Sequence, residues 1–83
     1  MIIMDGKGNE HELLPGVYQH YKTKGYYKLI GLGRHSETLE NMILYQSVDT
    51  GEFWVRPARM WFDKVFDLDN GVNTTRFRWV SEM

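Results

Sequence analysis

The sequence predicts a small all-β domain, and three observations support that prediction. The chain has 83 residues, enough for one domain with a small core. Its apolar residues recur mainly with a period of two, the spacing of strands that turn one face toward a core. Turn residues separate these runs at short intervals. We therefore expect a small SH3-like barrel of five or six strands, with an OB-like barrel as the alternative.

The first twelve residues differ from the rest of the chain. They are polar after Met4 and contain Gly6, Gly8 and Asn9, a composition typical of a loosely ordered terminus. We expect residues 1–12 to form a flexible tail or an edge strand. Residues 13–83 are expected to form the single barrel domain.

The next segment reads as a hairpin. Residues 17–22 alternate around Tyr18 and Tyr21, and residues 26–32 resume the strand pattern. The intervening K-T-K-G predicts a turn with Gly25 in the left-handed region.

A central strand and its neighbour follow. Residues 41–48 are apolar on both faces, as expected of a strand inside a sheet. The turn V-D-T-G-E then places Gly51 at a left-handed position, and residues 53–56 form the next strand. Pro57 cannot donate to a β-ladder, so this strand should end there.

The last third of the chain predicts one helical turn and two more strands. A-R-M-W-F, directly after Pro57, is too short for a packed helix and fits a helical turn near residues 57–61. Residues 62–66 and 76–80 are predicted strands, with D-L-D-N-G as a polar turn after the first. We expect Trp61 and Phe62 to close the floor of the barrel.

Composition excludes several classes of site and protein. Three Trp, five Tyr and four Phe make up 14% of the chain, and at about 150–250 Å² each they supply core without a disulfide or a metal. The absence of cysteine excludes disulfides, thiolate nucleophiles and Cys-based metal sites, and suits a cytoplasmic location. The four apolar residues before Asp5 are too few for a secretory signal, and no stretch is long enough to span a membrane.

Charge argues against a strongly basic nucleic-acid-binding protein, because the formal net charge is −1. The distribution is uneven, however. No acid occurs between Leu13 and Ser36, a segment that holds Lys22, Lys24, Lys28 and Arg34. Tyrosines interleaved with these lysines make single-stranded nucleic acid an alternative ligand. The other interpretation is a solvated hairpin with lysines on its outer side.

Several motifs together resemble a known family. They are G-V-Y-Q-H-Y-K, G-L-G-R-H-S-E-T-L-E, L-Y-Q-S, W-V-R-P and M-W-F. This set is similar to the G-x-Y-x-H-Y-K, R-H-S-E-T-L-E, V-Y-Q and W-V-R-P-x-x-M-F signature of a small bacterial family known only as a domain of unknown function. The similarity covers residues 16–66, with R-F-R-W-V a weaker match to the last strand of the family. The resemblance implies a small β-barrel and no established activity.

Two positions depart from the family pattern. Gly33 stands where alanine is usual, and Ala58-Arg59 stands where a leucine and an acid are common. The second departure reverses a charge beside the proposed site.

The segment R-H-S-E-T-L-E is the strongest candidate for a site. It is either an ordered loop whose charges pair internally, with Arg34 bonded to Glu37 or Glu40, or a ligand-binding loop. Exposed ion pairs contribute only about 0–1 kcal/mol, so such a density of functional groups favours binding. The candidate ligand-binding residues in this loop are Arg34, His35, Ser36, Glu37, Thr38 and Glu40.

Three further candidates are expected to lie opposite this loop: Tyr45, Trp54 and Arg56. Arg56 prefers water, so Trp54 should share its outer face and form an aromatic and cationic patch with it. Arg34 or Arg56 would make a forked contact with an anion, and Trp54 or Tyr45 would stack on a flat group. The expected ligand is therefore a small polar molecule or a peptide.

Catalysis is the remaining alternative. His35 and Ser36 are adjacent and lack an orienting acid, so they do not form a triad. His35-Ser36-Glu37 matches half of a zinc deaminase signature, but the cysteine pair is absent. We expect no metal and no cofactor, and we expect a binding module rather than an enzyme. A small enzyme with His35 and Glu37 as acid and base is kept as a second alternative, and an edge strand makes a homodimer a further expectation.

Overall fold

Short strands dominate the computed structural model, which describes residues 1–82. In this range there are nine strands and one helical turn. They are β1 Ile2–Met4, β2 Glu10–Glu12, β3 Val17–His20, β4 Tyr26–Arg34, β5 Asn41–Ser47, β6 Phe53–Pro57, α1 Ala58–Trp61, β7 Lys64–Asp67, β8 Val72–Thr75 and β9 Phe77–Ser81.

Five of the strands form the main sheet, in the order β6-β5-β4-β3-β9, and every neighbouring pair is antiparallel. The other two pairs, β1 with β2 and β7 with β8, are separate two-stranded hairpins. The predicted all-β class and the helical turn after Pro57 are confirmed. The type of barrel stays a prediction.

The N-terminal segment forms the hairpin of β1 and β2. The Asp5 carboxylate organises its turn by accepting from the backbone N–H groups of Lys7 (2.7 Å) and Asn9 (3.2 Å), and it lies 2.8 Å from Nε2 of His11. Burial opposes ionisation of Asp5, but the hydrogen bonds from His11, Lys7 and Asn9 outweigh it and hold the pKa of this carboxyl well below its usual range. Ile3 packs into the core.

The C-terminal third differs in detail from the sequence-based expectation. The strand predicted at residues 62–66 begins two residues later, at Lys64, and pairs with β8 rather than with the main sheet. V-N-T-T was not recognised as a strand because only its first residue is a large apolar one. Strand β9 is shifted by one residue from the predicted 76–80.

One face of the main sheet carries the core. In β5 the odd-numbered residues Ile43 and Tyr45 are buried, while the even-numbered ones are half-buried. The helical turn lays Trp61, 1% exposed, across this face, where its ring stacks on Phe77 with centroids 3.9 Å apart. We call this face the inner face. Phe62 is half-buried and stacks on the His11 ring at 4.0 Å.

Candidate functional site

The R-H-S-E-T-L-E segment forms the tight turn between β4 and β5. The His35 N–H donates to the Glu40 carbonyl, and the Leu39 N–H donates to the His35 carbonyl, both at 2.9 Å. Leu39 is left-handed, with a φ of 64°. The His35 ring caps the turn, because its Nδ1 accepts from the backbone N–H groups of Glu37 (3.1 Å) and Thr38 (3.3 Å). A neutral His35 therefore carries its proton on Nε2.

The turn between β3 and β4 is built in the same way. Nδ1 of His20 accepts from the backbone N–H groups of Lys22 (3.2 Å) and Thr23 (3.4 Å). The left-handed residue is Lys24, with a φ of 63°, so the expectation for Gly25 was wrong. Since the hairpin closes with the His20 N–H donating to the Gly25 carbonyl at 3.0 Å, the fourth loop residue must take the left-handed conformation, whatever its side chain.

A third turn repeats the pattern with a serine. The Thr50 N–H donates to Ser47 Oγ at 3.1 Å, and Gly51 is left-handed as predicted, with a φ of 77°. In all three turns a threonine follows the capping residue by three positions and accepts from the N–H two residues further on. The signal that sequence reasoning missed is therefore a spacing, H-x-x-T or S-x-x-T, between strands.

Two residues of the candidate loop are engaged in structural contacts. Glu40 accepts from Nε of Arg59 at 2.8 Å and lies 3.3 Å from the Thr38 hydroxyl. The hydrogen bond from Arg59 lowers the pKa of the Glu40 carboxyl. The expected pairing of Arg34 with an acid of its own loop does not occur, and the ion pair instead ties the loop to α1.

The exposed side of this turn lines a cavity of about 340 Å³. Arg34, His35 and Ser36 contribute to it, and Arg34 forms no hydrogen bond or ion pair through its side chain with residues 1–82. The apolar remainder comes largely from the sheet face opposite the core. We call this cavity the outer groove, and its other lining residues are Leu32, Gly33, Met42, Leu44 and Val55.

A second cavity, of about 210 Å³, lies on the inner face, and we call it the inner cleft. It brings together three of the predicted ligand-binding residues with four others. Its lining residues are His20, Thr23, Tyr27, Tyr45, Trp54, Arg56 and Phe77.

Arg56 is the charged group of the inner cleft. Its Nε donates to the Tyr45 hydroxyl at 3.3 Å, and its guanidinium carbon lies 5.7 Å from the centroid of the Phe77 ring. The side chain is half-buried and has no carboxylate partner within residues 1–82. Its terminal nitrogens are thus free to meet an anion.

Trp54 and Arg56 lie on the inner face, which differs from the expectation of an outer patch. Trp54 is opposite Tyr45 and Arg56 is opposite Ile43, and directly opposed residues share a face. Both lie near the open end of the core, so Trp54 stays 48% exposed. Trp54 and Arg56 of β6 thus lie on the face that carries the core and still reach solvent, a combination that the alternation of residues in the sequence does not reveal.

His20 is a cleft residue that the sequence did not identify as a candidate. Burial, together with the charges of Arg56, Arg76 and Lys22, lowers the pKa of its imidazole. Since Nδ1 accepts from the turn, the neutral ring presents Nε2–H as a donor. The inner cleft therefore offers donors and aromatic surfaces, and it contains no acidic side chain.

The structure does not bring the loop and the Trp54/Arg56 pair into one pocket. The two cavities share no lining residue. The loop adjoins Asn41, whereas Trp54 is opposite Tyr45, four residues or about 13 Å further along β5. Thr38, Glu37 and Glu40 line neither cavity.

The residues of the nucleic-acid alternative are also divided. Tyr18 and Tyr27 oppose each other on the inner face, and Tyr18 is buried. Tyr26 and Lys28, one position away from Tyr27, lie on the other face. Lys24 is 3.7 Å from the Asp67 carboxylate. A continuous stacking platform on one face is not formed by these tyrosines.

Two further features concern the described part of the chain only. Residues 1–82 contain no cluster of three or more His, Cys, Asp or Glu side chains placed to hold a metal ion. None of the helical structure there is long and apolar enough to cross a membrane.

Comparisons with known proteins agree on one family. A family model described as protein of unknown function (DUF1653) matches residues 16–79. A crystal structure of a DUF1653 protein from Bordetella bronchiseptica is similar, with a TM-score of 0.75 and 29% sequence identity, and the match covers 87% of this chain and 92% of that one. No curated protein matches the chain. With more than half of its length matched, this chain belongs to the DUF1653 family of proteins of unknown function.

Proposed function

We propose that this protein is a non-enzymatic binding module that holds an anionic group of a small polar ligand or a peptide in the inner cleft. One observation supports this most directly. Arg56 is half-buried beside an exposed indole and has no carboxylate partner within residues 1–82. A partly desolvated guanidinium without a counter-ion favours an external anion, because burying an unpaired charge is costly.

In this proposal each group has a role. Arg56 Nε is held by the Tyr45 hydroxyl, which orients the planar guanidinium so that its Nη atoms can make a forked contact with a carboxylate. The exposed Trp54 ring supplies a surface for an adjoining flat group. His20 adds a neutral N–H donor, since its pKa is lowered.

The size of the cleft limits what it can hold. At about 210 Å³ it is smaller than the roughly 300–1,000 Å³ typical of sites for drug-sized ligands. It fits one side chain or one ring with its acid group rather than a whole nucleotide.

Titration with three small probes tests this proposal. Benzoate combines a ring with a carboxylate, benzamide keeps the ring without the charge, and acetate keeps the charge without the ring. We expect benzoate to bind most tightly and to shift the NMR signals of the Trp54 indole N–H and the Arg56 Nε–H. Arg56→Met should weaken benzoate about tenfold or more, the loss expected for a charge-assisted hydrogen bond.

The matched control is Arg34→Met, which removes the same charge from the outer groove and should leave benzoate affinity unchanged. Equal binding of benzoate and benzamide, or equal weakening by Arg56→Met and Arg34→Met, would show that the inner cleft is not an anion site.

A further inference from the structure

Strand β6 is an edge of the main sheet, and its exposed residues are apolar. Phe53, Trp54 and Val55 are 62%, 48% and 58% exposed, and no charge occurs between Glu52 and Arg56. Natural edge strands are usually protected by charges, bulges or covering segments, because a free edge pairs with other strands. Arg56 and Pro57 protect the end of β6, whereas Phe53, Trp54 and Val55 leave its first part apolar and open to pairing.

The outward backbone groups of β6 follow from its pairing with β5. The Ser47 N–H donates to the Glu52 carbonyl at 2.9 Å, which fixes a hydrogen-bonded pair at the start of the ladder. Antiparallel ladders alternate, so Trp54 and Arg56 bond to β5. The N–H and C=O groups of Phe53 and Val55 therefore point away from β5. In the described residues, no hydrogen bond outside that ladder involves them.

Pro57 supports this assignment. It is the next residue of the outward-facing set, opposite Met42. A proline can occupy a strand where its missing N–H would face away from the ladder.

Strand β6 contributes residues to both cavities, on opposite faces. Trp54 and Arg56 line the inner cleft, and Val55 lines the outer groove. A strand added to β6 would send alternate side chains to the two faces. Backbone pairing with pockets for alternate side chains is the arrangement by which sheet edges recognise extended peptides.

Charge indicates which peptide fits. Arg56 of the inner cleft has no carboxylate partner in residues 1–82, whereas Arg34 of the outer groove lies on β4, two strands away from β6. Neither lining includes an acidic residue. The outer groove is otherwise mostly aliphatic, with Met42, Leu44 and Val55. The complementary strand carries acidic side chains toward the inner cleft and aliphatic ones toward the outer groove.

The opposite edge, β9, is more protected. The Thr75 hydroxyl donates to the Phe77 carbonyl at 2.8 Å, which occupies one backbone acceptor of β9. Arg78 adds a charge to that edge, where it bonds to Gln19 at 3.2 Å. The features that suit an added strand therefore lie together at β6.

We propose that β6 binds an extended segment of a partner protein, with alternating acidic and aliphatic residues, as a sixth strand of the main sheet. This inference rests on the proposed function, because the acidic side chain of the added strand occupies the inner cleft. It extends that function by naming the ligand as a β-strand.

The test uses the peptide acetyl-Val-Glu-Val-Glu-Val-amide and the intact protein. Two controls are acetyl-Glu-Glu-Val-Val-Val-amide, which has the same composition without alternation, and acetyl-Val-Lys-Val-Lys-Val-amide, which reverses the charge. Calorimetry measures affinity, and amide hydrogen exchange reports pairing. We expect only the alternating acidic peptide to bind below about 1 mM and to slow exchange of the Phe53 and Val55 amides.

Two variants separate edge pairing from cleft binding. Val55→Pro removes an outward N–H that β5 does not use, and it should weaken the peptide about tenfold, as expected for one lost backbone hydrogen bond. Val55→Thr keeps the N–H and the branched shape and should bind the peptide almost as the unmodified chain does. Both variants should keep benzoate affinity.

If circular dichroism shows that Val55→Pro does not fold, the same question is tested with the unmodified protein and two versions of the alternating peptide. One version is N-methylated on the valines and the other on the glutamates. We then expect one methylated set to lose binding and the other to keep it.

The possible failures are distinguishable. Binding of benzoate without the alternating peptide would leave the proposed function standing and overturn the added strand. Equal affinity for the alternating and block peptides would also overturn it. A dimer of the protein alone by light scattering, converted to a monomer by Val55→Pro, would show that the occupant of β6 is a second copy.

Discussion

Replacing His35 with alanine tests whether the R-H-S-E-T-L-E loop is held together by its own histidine. The ring nitrogen Nδ1 accepts two backbone hydrogen bonds, from Glu37 at 3.1 Å and Thr38 at 3.3 Å. Water can replace part of this loss because both bonds are exposed. The nearest measured analogue is the loss of a helix cap, which costs about 0.5–2 kcal/mol, and we expect about 1 kcal/mol here.

That loss is large enough to measure by thermal unfolding. For a domain of this size, 1 kcal/mol corresponds to a shift in Tm of roughly 4–8 °C. The matched variant is His35→Asp, which restores an acceptor of the kind that Asp67 offers to the Asp69 N–H at 3.0 Å in the turn between β7 and β8. We expect His35→Asp to recover most of the stability.

An unchanged Tm for His35→Ala would contradict the capping role. Equal destabilisation by His35→Ala and His35→Asp would do the same, because it would show that the acceptor is not what stabilises the turn.

Three further predictions concern stability. The pKa of His20 is lowered in the fold, so folding favours the neutral ring. Its contribution to stability is fully present above the unfolded pKa of about 6.5 and is lost as pH falls through the folded pKa. The free energy of unfolding in urea should therefore decline between about pH 7.5 and 5.5, and His20→Asn should abolish that decline. Gly16→Ala should lower Tm far more than Gly33→Ala, because a Cβ at Gly16, where φ is 133°, would overlap the Ser81 backbone, whereas at Gly33 it meets open space; similar losses at both sites would contradict this. Trp61→Ala should cost about 3–5 kcal/mol in urea unfolding, since the ring is 1% exposed and stacked on Phe77, and a loss below about 1 kcal/mol would show that the core does not depend on it.

Local patterns explain which parts of the fold were predictable. The apolar run of residues 41–48, a glycine after V-D-T and a proline before A-R-M-W identified β5, its turn and the helical turn, because these signals act within a few residues. The sequence did not predict strand β8, because β8 is stabilised by pairing with β7. The four residues V-N-T-T contain no local pattern that indicates this pairing.

The candidate site shows the same division. The sequence identified Tyr45, Trp54 and Arg56 as side chains suited to an anionic or flat group, and the structure gathers these three in the inner cleft. The sequence could not reveal that His20 and Phe77 also line the inner cleft. These two residues lie on β3 and β9, which pair with each other although 57 positions separate His20 from Phe77.

The sequence by itself determined the all-β class, the absence of cysteine chemistry and the residue types available for binding, because composition and short-range periodicity do not depend on distant contacts. Only the tertiary structure decided that the loop and the Trp54/Arg56 pair line different cavities. The reason is strand register: Trp54 pairs with Tyr45, whereas Arg34 pairs with Asn41, four residues away along β5, so the two side chains lie at different ends of the sheet.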